Sequence, residues 1–184
     1  MKLASFTLSR RDPDYVGRAL AVQGLEKARQ NGEAPEELLE ILEKVGLDQS
    51  ALADMQVGSV IFANKPGDGS AREQAASCQR VLGGAANICY EFATKRYRSN
   101  CVNWGMLPFT LDPDRTFPFE PGDYILVPHV RRGVEQGYET FHATAISGIN
   151  VTPLTLHLKN TTAEERELLL TGCLMNHYAA KNKA

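Results

Sequence analysis

A glycine-rich turn followed by a serine and an arginine is the part of this sequence best suited to chemistry. Gly67 and Gly69 mark the turn, and Ser70 and Arg72 follow it. Ser70 is typical of a helix N-cap, and Glu73 three residues later completes the Ser-x-x-Glu pattern of a capping box. The first amides of such a helix lie unpaired at the positive end of its dipole, so the site can bind a carboxylate or a phosphate. Arg72 would add a planar fork that pairs with a carboxylate through two hydrogen bonds.

A simpler interpretation fits the same spacing and is favoured by spacing alone. In it, an ordinary capped helix follows a glycine turn, Arg72 is solvated and no ligand binds. A similar choice exists downstream for the basic residues Lys95, Arg96 and Arg98. They could attract an acidic substrate, or they could form a solvated helical turn.

Two strands and the helix between them must position the turn. The apolar run at residues 60–62 predicts the first strand, and Pro66 ends it together with the glycines. Residues 87–92 predict the next buried strand, which in a strand–helix–strand unit lies parallel to residues 59–64.

The first fifty residues predict a short edge strand and then helices. Residues 5–8 are the candidate strand. A helix begins at Pro13, with Asp12 as its N-cap, and ends near Gly32. A second amphipathic helix follows Pro35.

Beyond residue 100 the pattern predicts turns, antiparallel strands and a final helix. Turns are predicted at residues 100–105 and 133–137, a loop at residues 117–123, and strands at residues 124–127, 142–146 and 154–158. Thr162 and Glu165 form a second capping-box pattern, which begins one amphipathic helix that continues through Tyr178.

Composition places limits on the function. The chain has 184 residues, of which 43% are hydrophobic and 23% charged, as expected for one folded globular unit. A net charge of -2 provides no electrostatic case for binding nucleic acid or an anionic membrane. The sequence has neither an apolar run long enough to span a membrane nor a signal peptide, so we expect a cytoplasmic protein.

The cysteines and histidines indicate no metal site. The four cysteines are Cys78, Cys89, Cys101 and Cys173. They form no Cys-x-x-Cys pair and have no histidine at zinc spacing, so we predict reduced and mostly buried thiols. The four histidines are scattered without a shared spacing, at positions 129, 142, 157 and 177.

Several linked motifs resemble the signature of the aconitase superfamily. Residues 69–76 are similar to its Gly-Ser-Ser-Arg-Glu-His-Ala-Ala segment, and residues 82–84 match the Leu-Gly-Gly that follows at the same spacing. The similarity continues through Phe-Ala at residues 92–93, Asn-Cys at residues 100–101 and the segment at residues 105–109. Residues 103–109 together with residues 172–176 most resemble bacterial hydratases of the aconitase family.

The resemblance implies an α/β fold, the swivelling β/β/α domain of the aconitase C-terminal (small-subunit) type, with a mixed sheet and flanking helices. It implies a single domain over residues 1–184, with a helical N-terminal part at 1–50 and a signature-bearing core at 55–184. The opening loop of the family's swivel domain is not found in the first fifty residues. The chain is therefore either the C-terminal part of a longer chain, which we expect, or an independent small subunit of divergent design. Such a domain closes over an active site built mainly by other domains, which hold a four-iron four-sulfur cluster through three cysteines. No cluster ligand is expected in this chain.

The resemblance also assigns roles to residues. Ser70 would be the base of a reversible dehydration of a hydroxy-carboxylic acid, and Arg72 would bind a substrate carboxylate beside Gly69 and Ala71. The sequence departs from the family at Ala71, where the family has serine, and at Gln74, where it has histidine. The chain is expected to be inactive without the cluster-bearing domains. The alternative is a stand-alone, non-catalytic carboxylate-binding or regulatory module.

Overall fold

The computed structural model describes residues 2–10, 12–117 and 119–182, in which helices flank one mixed sheet. In chain order, the helices and strands are α1 (Lys2–Ser9), α2 (Tyr15–Gln30), α3 (Glu36–Lys44), a 3-10 helix (Gln49–Asp54), β1 (Ser59–Ala63), α4 (Arg72–Val81), β2 (Gly84–Cys89), α5 (Lys95–Asn103), β3 (Leu107–Thr110), β4 (Tyr124–Leu126), α6 (Val130–Gln136), β5 (Thr140–Ser147), β6 (Asn150–His157), α7 (Ala163–Thr171) and α8 (Leu174–Lys181). No helix in these ranges is long and apolar enough to cross a membrane.

The sheet has a parallel half and an antiparallel half. Its six strands lie in the order β1-β2-β3-β6-β5-β4. β1, β2 and β3 are parallel neighbours, connected through α4 and α5, whereas β6, β5 and β4 run antiparallel to their neighbours. The two halves meet where Thr110 of β3 pairs with His157 of β6. The predicted α/β class, with a mixed sheet and flanking helices, is confirmed.

The main core is formed by apolar side chains from both halves of the sheet. Its buried members are Ile88, Phe109, Leu111, Val134, Phe141, Ala143, Leu156 and Leu158. Leu169 and Leu170 of α7 pack against this cluster, as Val130 of α6 does. Burial of this apolar surface is the dominant force that holds the two halves together.

The Leu-Gly-Gly segment allows α4 to turn directly into β2. Gly83 has a φ of +88°, a conformation that a residue with a Cβ adopts at a cost. A Cβ on Gly84 would lie 2.6 Å from Cγ of Gln79. The side-chain amide of Gln79 donates to the carbonyl of Ala86 at 3.0 Å and thereby fixes the helix to the strand. Both glycines are therefore required by geometry.

The predicted strand at residues 5–8 is wrong, because α1 is a helix. Ala4 of α1 is buried against Cys78 and Leu82 of α4. A segment of four residues is too short to distinguish the apolar period of a helix from that of a strand, and packing against α4 stabilises the helix. α2 begins at Tyr15, two residues later than predicted, since Asp12 instead accepts the backbone N–H of Asp14.

Three further predictions of secondary structure are wrong. Most of the turn predicted at residues 100–105 belongs to α5, which ends at Asn103, and the turn predicted at 133–137 is largely α6. The single C-terminal helix is two helices, α7 and α8, separated at Gly172, which has a φ of +90°. The break accommodates a close approach, since a Cβ on Gly105 would lie 1.8 Å from the carbonyl oxygen of Gly172.

The loop predicted before β4 and the second helix are confirmed. Residues 119–123 form neither helix nor strand, whereas Pro118 lies outside the described residues. α3 spans Glu36–Lys44, directly after Pro35 as predicted.

Candidate functional site

Two loops meet at the carboxyl edge of the parallel strands. Residues 64–71 follow β1 and residues 90–94 follow β2. The carbonyl of Asn64 accepts hydrogen bonds from two amides of the second loop at 3.2 and 3.3 Å, and the carbonyl of Pro66 accepts from Ala93 at 2.9 Å. In sheets of this kind, ligands bind beyond the carboxyl ends of the strands. The loop that carries the predicted site residues is thus in the expected place for a ligand.

The capping box predicted at Ser70 and Glu73 is not formed. α4 begins at Arg72, its N-cap is Ala71, and no side chain caps its first amides. The carboxylate of Glu73 instead accepts a hydrogen bond from the indole N–H of Trp104 at 3.1 Å. The first N–H groups of a helix need a partner from outside the helix, and no side chain among the described residues supplies one. The start of α4 is therefore open to an anionic ligand.

Three of the predicted site residues lie on the surface. Gly69, Ser70 and Ala71 are exposed. Within the described part of the chain, the hydroxyl of Ser70 makes no hydrogen bond. Their position leaves the backbone and hydroxyl of this short segment accessible to a substrate or to another domain.

Arg72 is half-buried and folds back onto the turn. Its Nε donates to the carbonyl of Gly67 at 3.0 Å, and its Nη2 approaches the carbonyl of Asp68 at 3.5 Å. The guanidinium is therefore held by its own loop. Its Nη1 has no partner among the described residues, so one edge of the group is available for a ligand.

The two glycines of the turn have different roles. Gly67 has a φ of +97°, and a Cβ placed on it would lie 2.5 Å from Cβ of Tyr97 and 2.7 Å from its ring. A Cβ on Gly69 would meet nothing within 4 Å. Close packing on Tyr97 thus requires glycine at position 67 only.

Sequence reasoning missed Thr94 and Tyr97, which support the turn from the second loop. The hydroxyl of Thr94 donates to the carbonyl of Gly67 at 3.0 Å and accepts from the amide of Tyr97 at 3.3 Å, so Thr94 also caps α5. A threonine before a polar run is an N-cap signal that could have located the start of α5. Its contact with Gly67, 27 residues away in sequence, carries no local signal.

The basic residues of α5 do not form one cluster. Arg98 donates to the carboxylate of Glu165 in α7 at 2.8 Å and to the carbonyl of Lys159 at 3.2 Å. Lys95 and Arg96 are exposed. Arg98 therefore joins α5 to α7 and is not available to a substrate.

The cysteines do not fit an iron–sulfur cluster. All four are free, and Cys78, Cys89 and Cys101 are buried, as predicted. Burial raises the pKa of Cys89 to about 12 and that of Cys101 to about 11, so both are protonated thiols at neutral pH. Among the described residues, no group of three or more cysteine, histidine or acidic side chains could hold a metal.

Two depressions lie outside the loop. One of about 180 Å³ is lined by Glu73, Asn100, Asn103, Trp104, Cys173, Leu174 and Met175. The other, of about 440 Å³, lies between α2 and the 3-10 helix beside Arg29. Arg29 is already bound to the carboxylate of Glu26 through two nitrogens and to the carbonyl of Leu52. The larger depression therefore presents no free cation.

The chain is similar to a family model and to two known proteins. Residues 25–114 match the family model described as the aconitase C-terminal domain. The chain is 34% identical over 113 residues to a 3-isopropylmalate dehydratase small subunit of Metallosphaera sedula, an alignment that spans 61% of this chain and 66% of that relative. It also resembles a crystal structure of a 3-isopropylmalate dehydratase from Methanocaldococcus jannaschii, with a TM-score of 0.45, 25% identity, and coverage of 76% of this chain and 74% of that one. The chain thus spans slightly less than two thirds of its curated relative, and the region matched by the family model contains the turn, α4 and α5.

Proposed function

Since this chain belongs to the aconitase superfamily, we propose that it is the substrate-closing part of a hydro-lyase. The reaction would be the reversible dehydration of a hydroxy-carboxylic acid. The observation that carries the proposal is the arrangement of Arg72. Its guanidinium is tethered to the turn and lies at the uncapped start of α4. Two cationic features therefore converge on one exposed segment, as carboxylate binding requires.

Ser70 is proposed as the base that removes a proton next to the substrate carboxylate. A serine hydroxyl is a weak base unless its oxyanion is stabilised. The positive end of the α4 dipole and the guanidinium of Arg72 are groups that stabilise an oxyanion. Because Ser70 is exposed in this chain, water must be excluded by a partner domain that closes over it.

The iron–sulfur cluster of the family is proposed to reside in that partner. The described residues include no group of three or more cysteine, histidine or acidic side chains that could hold a metal. The curated relative is named a small subunit, which supports a second, cluster-bearing subunit or domain for this chain as well.

The alanine at position 71 affects which class of substrate the site would bind. The family's serine at this position supplies a donor to a substrate carboxylate, and alanine supplies none. Loss of one donor in a buried carboxylate site costs about 1 to 3 kcal/mol. A dicarboxylate such as an isopropylmalate, which the name of the curated relative indicates for that protein, needs fewer donors than the tricarboxylate citrate. We therefore propose a dicarboxylic hydroxy acid as the substrate.

The second candidate is a carboxylate-binding module without catalysis. It is favoured by Ala71 and Gln74, which depart from the family signature, and by the solvent-exposed hydroxyl of Ser70. Such a module would retain the Arg72 site and would not need the hydroxyl of Ser70.

Turnover in the presence of a cluster-bearing partner separates these two functions. The full chain would be combined with the partner, and hydration of a dicarboxylic substrate followed by absorbance. Arg72→Ala should raise KM by about 100-fold, and Ser70→Ala should lower kcat by at least about 100-fold with KM retained. Arg132→Ala, which removes an exposed arginine of α6 far along the chain, is the matched control.

Unchanged turnover in Arg72→Ala would contradict the site assignment. A chain that binds dicarboxylates through Arg72 but supports no turnover with the partner would instead establish the module. Calorimetric titration of the same variants with malate, citrate and tricarballylate measures that binding.

A further inference from the structure

The structure points to a positioning residue for Arg72 on a different loop. We propose that Thr94 orients the guanidinium of Arg72 through the carbonyl oxygen of Gly67. The inference deepens the proposed function and rests on it, because it states how the carboxylate-binding edge of Arg72 is aimed.

The carbonyl oxygen of Gly67 is the common point of this arrangement. It accepts one hydrogen bond from Nε of Arg72 and another from the hydroxyl of Thr94, both at 3.0 Å. A carbonyl oxygen has two lone pairs, so these two donors saturate it. The direction of the carbonyl therefore depends on both residues.

The backbone of Gly67 is also confined by Tyr97. The ring lies so close that a Cβ at position 67 would approach it to 2.7 Å. Tyr97 is 7% exposed and belongs to a buried cluster with Ala76 and Cys101. The backbone of Gly67 is thus held by two hydrogen bonds to its carbonyl and by the buried ring of Tyr97 beside its Cα.

The hydroxyl of Thr94 connects the turn to α5. It donates to Gly67 and accepts the amide of Tyr97, the third residue of the helix. The hydroxyl therefore acts both as a donor and as an acceptor, and it joins the turn to the start of α5.

The consequence is a defined orientation of the guanidinium. A guanidinium has two edges that can grip a carboxylate, one formed by Nε with one Nη and one formed by both Nη atoms. In Arg72 the first edge faces the carbonyls of Gly67 and Asp68. The second edge is available to a ligand, and its orientation is fixed before the ligand binds. Such preorganisation improves binding, because less conformational freedom is lost on association.

The test compares substitutions of Thr94 in the full chain. Thr94→Val removes both hydrogen bonds of the hydroxyl, and Thr94→Ser retains both. Thr162→Val is the matched control, since Thr162 caps α7 in the same way, at 3.1 Å from the amide of Glu165, but does not contact the turn. Thr94→Ala, which adds no bulk, replaces valine if the valine variant does not fold.

The first readout is hydrogen exchange at Nε of Arg72, followed by nitrogen-15 NMR without any ligand. Loss of the Thr94 hydroxyl should accelerate this exchange about tenfold, and Thr94→Ser and Thr162→Val should leave it at the native rate. An exchange rate within twofold of the native rate in Thr94→Val and Thr94→Ala would overturn the proposal.

The second readout is turnover with a dicarboxylic substrate and the cluster-bearing partner. Thr94→Val should raise KM by about tenfold and change kcat by less than twofold, with KM restored in Thr94→Ser. A KM raised by Arg72→Lys but not by Thr94→Val would overturn the positioning role and leave the proposed function standing. A KM unaffected by Arg72→Lys would instead show that the proposed function is wrong.

Discussion

Two helix starts in this molecule carry the same local pattern and adopt different structures. Both Ser70 with Glu73 and Thr162 with Glu165 have the spacing of a capping box. At α7 the box is complete, since Thr162 accepts the amide of Glu165 and Glu165 accepts the amide of Thr162. At α4 neither hydrogen bond forms and the helix begins two residues after the serine.

Contacts distant in sequence explain the difference. Glu165 is held in place by Arg98 of α5, so that both carboxylate oxygens are engaged. The carboxylate of Glu73 instead accepts a hydrogen bond from Trp104. The guanidinium of Arg72 donates to the carbonyl of Gly67 in the preceding turn. Tertiary partners therefore decide which acidic residue becomes a cap.

The difference has a functional meaning. When side chains accept hydrogen bonds from the first amides of a helix, that helix start is closed to ligands. Without a cap, the same amides are available to an anionic ligand. The capped start follows β6 of the antiparallel half in the chain, and the open start follows the loop at the carboxyl end of the parallel strand β1. Natural proteins depart from the locally optimal choice mainly at functional sites.

The largest effect is expected at the glycine turn that precedes Ser70. Gly67→Ala should lower the free energy of unfolding by about 3 kcal/mol, because it adds a positive-φ penalty to a clash with Tyr97. Urea denaturation measures this loss. Gly69→Ala, with open space around its Cβ, is the control and should cost much less. Equal losses in the two variants would mean that Tyr97 does not shape the turn.

Next in size are the two glutamates. Glu165→Ala should cost about 2 kcal/mol, since it removes a capping bond and leaves the half-buried Arg98 without its carboxylate. Glu73→Ala should cost about 0.5 kcal/mol, because its hydrogen bond to Trp104 is exposed. Thermal unfolding followed by circular dichroism compares them. The fluorescence of Trp104 should change in Glu73→Ala alone, and a change in Glu165→Ala would contradict the assignment.

The two hydroxyl residues provide the most direct test of the comparison. Thr162→Ala should destabilise the protein by about 1 kcal/mol, the usual cost of losing an N-cap. Ser70→Ala should change stability by less than about 0.5 kcal/mol, because Ser70 is exposed and caps nothing. Urea midpoints of both variants are sufficient for this test. If Ser70→Ala were as costly as Thr162→Ala, Ser70 would be a cap in solution.

The smallest effect is expected from adding an acceptor at the open helix start. Ala71 occupies the N-cap with a ψ of 49°, whereas Thr162 has the extended ψ of 164° that suits a capping side chain. Ala71→Ser should therefore stabilise the protein by only about 0.5 kcal/mol. Ala71→Val, which adds bulk without an acceptor, is the control. A gain above about 1 kcal/mol, measured by urea denaturation, would show that the start of α4 is an ordinary capping position.

Local patterns predicted much of the parallel half. The apolar run of β1 and the glycine turn were located, because they rest on short-range periodicity and on glycines. The strand predicted at residues 87–92 lies three residues earlier, since β2 spans Gly84–Cys89 and begins within the Leu-Gly-Gly segment. α1 and α6 were missed, since short segments carry too little periodicity to distinguish a helix from a strand or turn. The C-terminal helix was predicted as one because its apolar pattern continues through Gly172, while the break depends on contact with Gly105.

The sequence by itself determined the strand–turn–helix unit and placed Ser70 and Arg72 at its helical end. Only the tertiary structure decided that Ser70 is not a cap, that Arg72 faces the turn, and that Thr94 reaches Gly67. The positions of Glu73 and Thr94 depend on hydrogen bonds between residues 31 and 27 positions apart in the chain, whereas Arg72 donates to a carbonyl five positions away, in a turn that Thr94 holds from the second loop. A local pattern specifies which hydrogen bonds a residue can make, and the partners brought close by folding determine which of them it does make.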